Sequence, residues 1–440
     1  MYRNKLLAFI FTIILAQASF GQMLNNSPYT RYGLGEVMNT STTPFSGFGG
    51  LSTPIADFRF VNVSNPATYS SLARYNPVFD VAVYGKFSNL KTENESVNNS
   101  TFVLRNFTLA LPIGKKWGAA FGLMPYSTTG YNITDYQVLG GDSIANNYIG
   151  DGSINRAFIG TGYNMINKGD TLKLSVGVNA SYLFGTLERE RNVVFSNSTF
   201  YNSKVQEKNV LRGMSFDGGI HFYQKMSKDL SWQFGATYSF GSDLKTAQDF
   251  YAYTYKYQLG VVEDEKDTID YYENVEGLTT LPTGFSAGVA VNYKKWMFGG
   301  QYEYKNWHQF KEVVNAIDLT ERPLKQSNKF TLGFQYTPSA AYGDKNKNIF
   351  QKSIYRIGFH YGNTPIEIDS TQLTNYGMNL GISLPLISSR SLSMMNIGIG
   401  IGKMGTTANN LIQENYFKLF FGFSMGPSNY DKWFRKRKYD

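Results

Sequence analysis

LKLSVGVNASYLF, residues 172 to 184, puts Leu172, Leu174, Val176, Val178, Ala180, Tyr182 and Phe184 on one face of an extended chain. Lys173, Ser175, Gly177, Asn179 and Ser181 take the other. Successive side chains of a strand point to opposite faces, so this period of two marks a strand with one apolar side and one polar or small side. Its run is far longer than the roughly five or six residues usual in globular sheets. LSWQFGATYSFG (230 to 241) repeats the pattern, with Leu230, Trp232, Phe234, Ala236, Tyr238 and Phe240 alternating against Ser231, Gln233, Gly235, Thr237 and Ser239. FSAGVAVNY (285 to 293), NKFTLGFQYTP (328 to 338) and YFKLFFGFSM (416 to 425) read the same way.

The chain has 440 residues, 42% hydrophobic and 16% aromatic, with no cysteine, which excludes disulfide scaffolds, zinc ribbons and cysteine nucleophiles. MYRNKLLAFIFTIILAQASFGQ opens with Arg3 and Lys5, an apolar run from Leu6 to about Ala16, and small residues after it. This is the pattern of a secretory signal peptide, expected over residues 1–21, with the mature chain starting near Gln22. Beyond it no run approaches the roughly 18 apolar residues of a membrane helix. An exported aromatic chain of this kind is either a large soluble sandwich or an outer-membrane β-barrel. Small or polar residues fill the second face in strand after strand, which suits a wet or plugged lumen better than a two-sided core.

The expected fold is therefore all-β, an antiparallel transmembrane β-barrel over residues 76–427. About fourteen strands are expected, near 78–90, 100–112, 116–126, 152–166, 171–190, 209–224, 229–242, 283–294, 295–306, 327–338, 352–363, 373–386, 389–403 and 412–425. Short Lys-bearing connections such as Gly114-Lys115-Lys116 and Lys294-Lys295 alternate with long ones, about 127–151, 191–208, 243–282 and 307–326. Short turns on one side and long loops on the other is the outer-membrane arrangement, with the short side and both chain ends periplasmic. The connection 339–350 is longer than a periplasmic turn should be.

The formal charge of +9 falls to +7 without Arg3 and Lys5. Basic residues gather in the short turns and in a basic periplasmic tail, 428–440, where Trp433, Phe434, Arg435 and Lys436 are candidate contacts for anionic lipid or a protein partner. An exported barrel meets no nucleic acid. The acidic stretch 263–277 reads first as a solvated loop, with divalent-cation binding as the alternative. Of the three histidines, His221, His308 and His360, the strand residues His221 and His360 have no neighbouring nucleophile or carboxylate pattern, and no cofactor or metal motif is visible, so the chain reads as a non-enzyme. The GLGE and GFGG pieces near the N-terminus belong to no strand-to-helix unit, which rejects a phosphate loop.

Two features remain. GAAFGLMPYSTTGY (118 to 131) alternates as a strand and then meets Pro125, which cannot donate to a ladder although a closed barrel has no edge to hold it. The third strand should kink or end there, and Gly122, Pro125, Tyr126 and Gly130 are the candidate lateral opening. Residues 22–75 lack alternation yet carry Tyr29, Tyr32, Phe45, Phe48, Phe58 and Phe60, the composition of an N-terminal plug folded back inside the barrel. Asn65-Pro66-Ala67 is expected to fix its turn into the wall.

With its NPA tripeptide at Asn65 to Ala67, its fourteen strands and its GLMPYS break at Gly122 to Ser127, the chain resembles the FadL family of outer-membrane transporters. The resemblance implies capture of a small hydrophobic ligand, a hatch that rearranges, and lateral exit at the third-strand kink. Its relatives also include non-transporting subunits of secretion machines. The polar, acidic loops and the basic tail depart from a transporter's greasy entrance, so an assembly subunit with protein partners stands as the alternative.

Overall fold

The computed structural model describes residues 27–427 apart from 140, 170, 259–261, 316, 319, 321–322, 340–346 and 387–391. The expected signal peptide and the tail residues Trp433, Phe434, Arg435 and Lys436 lie outside the described residues. In chain order the barrel strands are β1 Val78–Lys91, β2 Ser96–Pro112, β3 Trp117–Leu139, β4 Asp142–Asn167, β5 Leu172–Phe195 and β6 Asn202–Lys225. They continue as β7 (Leu230–Ser239, then Ser242–Gln258), β8 (Val262–Leu281, then Gly284–Tyr293), β9 Trp296–Lys305 and β10 Ser327–Tyr336. β11 Ile354–Ile368, β12 Thr371–Pro385, β13 Met394–Met404 and β14 Gln413–Met425 complete the set. Each pairs antiparallel with its neighbours, and β14 returns to β1 in unbroken register from Gln413 opposite Lys91 to Met425 opposite Phe79. That last ladder closes a fourteen-stranded barrel.

The burial along β5 decides what surrounds it. Ser175, Gly177, Asn179 and Ser181 point inward and are buried, while Val178 and Tyr182 on the apolar face are 58% and 44% exposed. A wall with its apolar side outward is made for lipid. Aromatic pairs mark two levels of that wall: Trp117 with Tyr163 and Trp296 with Tyr336 beside the short turns, and Tyr302 with Phe330 and Phe285 with Tyr304 at the other end. Amphipathic rings of this kind settle at the headgroup level.

The long loops expected at 127–151, 191–208 and 243–282 are in the main strand. β3 to β6 run 23 to 26 residues, against 10 for β9 and β10, so one side of the barrel rises well above the other. The acidic stretch 263–277 is the upper half of β8 rather than a loop. Sequences such as NITDYQV carry no lipid-facing pattern because both faces of a strand above the membrane meet water, and the period of two disappears with the apolar phase. Among the described residues no group of acidic or histidine side chains is disposed to hold a metal ion.

The polar inner face serves the N-terminal segment. Gln301 Oε1 accepts the Ser52 and Thr53 amides, Gln233 Oε1 accepts the Ala56 amide, Asn379 donates to the Ser46 carbonyl and Asn179 to the Val63 carbonyl. His221 Nε2 lies 3.1 Å from both the Pro54 carbonyl and Gln233 Oε1, and His360 Nε2 lies 3.1 Å from the Tyr416 hydroxyl. Irregular backbone inside a membrane-spanning barrel needs such partners, since each unsatisfied group costs several kcal/mol. Apolar contacts fill the rest: Phe45, Phe48, Leu51, Ile55 and Phe60 pack with Ala290, Met297, Ile354 and Met394, and Val61, Val63, Tyr69 and Leu72 with Ala110, Ala120 and Phe158.

Wall glycines let the segment's backbone lie directly on the strands. A Cβ at Gly177 would overlap the Ala67 nitrogen and the Pro66 carbonyl, and one at Gly358 would overlap the Phe48 carbonyl. Overpacking of this kind costs ~1–3 kcal/mol. Gly177→Ala is expected to leave the barrel closed, seen as retained heat-modifiable gel mobility, while limited proteolysis of the purified protein cuts residues 27–77 faster. Unchanged protection of that segment would count against direct backbone packing on β5.

Candidate functional site at the gap between β2 and β3

Two neighbouring strands part company. β2 and β3 pair only from Pro112 opposite Gly118 to Phe107 opposite Leu123, although both continue far beyond. A bulge lies on each side of the point of separation. Arg105 is the extra residue between the Ala82–Asn106 and Val83–Leu104 pairs, and Tyr126 is the extra residue between the Pro125–Asn155 and Ser127–Ile154 pairs. Bulges disrupt a ladder and bend the strand that carries them, so the wall opens here between Arg105 and Tyr126.

The N-terminal segment occupies the opening. Its two-residue strand Glu36–Val37 pairs antiparallel with β3, Glu36 opposite Thr128 and Val37 opposite Ser127, and the Met38 amide donates to the Tyr126 carbonyl at 2.9 Å. Higher up, the Ser27 amide and the Thr30 hydroxyl both donate to the Gly130 carbonyl, and the Gly130 amide donates to Thr30 Oγ1. From the other side Arg105, only 5% exposed, donates to the Ser41 carbonyl at 2.6 Å and reaches the Asn39 carbonyl at 3.4 Å. Residues 27–41 thus run along the upper edge of β3 and are tied across to β2.

A buried charge cluster anchors the same strand. Lys86 of β1 lies 2.8 Å from Glu36 and 2.6 Å from Glu414 of β14, whose carboxylate also accepts from Ser27 and Ser88. Glu414 has no solvent exposure and Lys86 has 4%. Tyr29 reaches the Ile412 carbonyl beside it. Above this latch Leu34 enters an apolar cluster with Ile154, Leu183, Leu187, Leu211, Leu244 and Trp307. What remains is a cavity of about 450 Å³ between segment and wall, whose lining includes Glu36, Arg105, Arg156, Asp217, Lys305 and Lys418.

The residues singled out in the sequence fall at different places. Gly122 lies below the opening, in the intact β2–β3 contact, where a Cβ would overlap the Phe107 carbonyl. Pro125 and Tyr126 stand at its edge, and β3 bulges there without ending. Gly130 is an anchor for Ser27 and Thr30. Asn65-Pro66-Ala67 does not make the turn into the wall: Asn65 caps the 3-10 helix Pro66–Ser71 by accepting the Ala67 amide, against β5 and β6. The entry into β1 follows later, through Tyr75 at φ 63°. Arg105, Lys86, Glu414 and Glu36 were not singled out. Lys86 and Glu414 lie on the polar faces of strong strand patterns, and a charge placed there is the signal that marks them.

A model for the family described as BamG matches residues 1–440. The chain belongs to the BamG family. No curated protein matches it in sequence. In fold this BamG-family barrel is FadL-like. It is similar to the CymD monoaromatic hydrocarbon channel (TM-score 0.56, 12% identity, 89% of this chain and 99% of that one). The Ralstonia pickettii toluene transporter TbuX (0.55, 10%, 88% and 98%) and a Pseudomonas aeruginosa FadL homologue (0.54, 10%, 90% and 99%) share the architecture.

Removing one member of a buried ion cluster strands the others and costs about 3–5 kcal/mol. Lys86→Met in the BamG-family barrel should therefore lower the thermal midpoint markedly, and adding Glu414→Gln should recover part of the loss. Thermal unfolding of the three proteins in one detergent checks this, and equal midpoints would show that the cluster does not hold the segment.

Proposed function

We propose that this barrel is a non-conducting subunit of a larger outer-membrane assembly, embedded in lipid with its first wall strand starting and its last wall strand ending on the periplasmic side, while Ser27, held by Gly130, stands high in the lumen and not at the periplasmic face where the sequence placed both chain ends. The observation that carries this reading is the hydrogen-bonded occupation of the β2–β3 opening by residues 27–41, latched by Lys86, Glu36 and Glu414. A solute leaving sideways would have to break the Glu36–Val37 pairing and separate buried charges in a low-dielectric wall.

A second reading is a passive channel for small hydrophobic molecules, with exit past Pro125 and Tyr126. The opening itself favours it, since a closed barrel needs no such gap. No energy source is visible, so movement would follow a gradient.

Purification of the native protein in mild detergent, with mass spectrometry of bound lipids and proteins, separates the two. Stoichiometric protein partners and no small apolar molecule are the expected result. In liposomes the purified barrel should take up toluene no faster than protein-free vesicles. Faster uptake, abolished by a disulfide joining Val37→Cys to Ser127→Cys, would replace the assembly reading with the channel.

A further inference from the structure

The gap leaves Ser100–Leu104 of β2 paired with β1 alone among the described residues. The upper half of β8, Glu263–Asn274, is likewise paired with β7 alone. An unpaired edge is a template for another strand, and proteins blunt it with charges and bulges. β8 does both: it carries Glu263, Asp264, Glu265, Asp267, Asp270 and Glu273, with three register shifts between Glu265 and Val275. β2 does neither. SVNNSTFVL has no charge, glycine or proline, and its register with β1 is unbroken from Ser96 opposite Lys91 to Leu104 opposite Val83.

The β2 edge also has the two faces of a membrane strand. Phe102 and Leu104 are 61% and 50% exposed on the side shared with Val83 and Phe87 of β1, and Thr101 is buried on the inner side. The Ser100 amide donates to the Asn99 side-chain carbonyl at 2.8 Å, a local substitute where no strand supplies an acceptor. Antiparallel residues alternate in the neighbour they face, so the amides of Phe102 and Leu104 point to the gap with that of Ser100, and those of Thr101 and Val103 point to β1. Lipid can accept none of these bonds.

We propose that this edge is a β-augmentation site that receives a transmembrane β-strand of a partner protein, one alternating apolar residues toward lipid and polar residues toward the lumen. Backbone pairing would supply the affinity and the alternating side chains the register. The proposal rests on the assembly reading and names the surface through which the assembly forms.

Hydrogen exchange at single-residue resolution, on the isolated barrel and on the native assembly purified with its partners, tests it. The amides of Phe102 and Leu104 should exchange readily in the barrel alone and slow by about tenfold or more in the assembly. Those of Thr101 and Val103 should be protected in both. Ser100→Lys, which places on β2 the kind of charge that protects an edge, should keep a heat-modifiable, folded barrel and lose the added protection. Partners that co-purify while all four amides exchange as in the isolated barrel would overturn the proposal and leave the assembly reading intact. Concentration-dependent protection in the isolated chain would overturn it in favour of a second copy of this chain. Absence of any partner would overturn both.

Discussion

Every backbone amide and carbonyl within a bilayer must find a partner inside the protein, and the molecule is organised by how that demand is met. Around most of the circumference the neighbouring strand meets it, and the β14–β1 ladder makes the circle complete. At one place the circle is interrupted, where β2 and β3 separate above Phe107 and Leu123. There the demand is met on the β3 side by residues 27–38, which act as a substitute strand. Arg105 and the Lys86–Glu36–Glu414 cluster then hold that substitute in place.

The same demand explains the lumen. An irregular segment inside the wall brings its own unpaired backbone groups, and the inward Gln233, Gln301, Asn179 and Asn379 pair with them. The polar face of the strands is thus a lattice of hydrogen-bonding partners for the N-terminal segment as much as the lining of a pore. Wall glycines let the two backbones approach closely enough for those bonds to form. The barrel, the segment inside it and the opening in its side are consequently one cooperative arrangement: a change at the latch is felt at the opening because Glu36 belongs to both.

The two free edges show the same physics outside the lumen. Above the membrane, water can satisfy the edge of β8, and acidic residues and bulges keep other strands away from it. Along Ser100–Leu104 of β2 neither safeguard is present, and the outward Phe102 and Leu104 are apolar. That difference is written in composition, but it has meaning only once the ladder is known to stop at Phe107.

Much of the barrel was legible in the chain. LKLSVGVNASYLF and its repeats state by their period of two that one face meets lipid, and the fourteen expected strand positions correspond to the fourteen strands of the wall. Pro125 marked the edge of the opening, because a residue without an amide is informative in any ladder. The raised wall was not legible, since water on both faces of 131–151 and 243–281 removes the alternation on which strand reading depends. Nor was the latch: Lys86, Glu36 and Glu414 are far apart in sequence, and only barrel closure brings β1 beside β14 and lays residue 36 between them. The sequence by itself determined that a barrel forms, which faces meet lipid, and that an irregular aromatic segment precedes it. Tertiary structure alone decided where the wall opens and what fills the opening, because those depend on which backbone groups the closing of the sheet leaves without a neighbour.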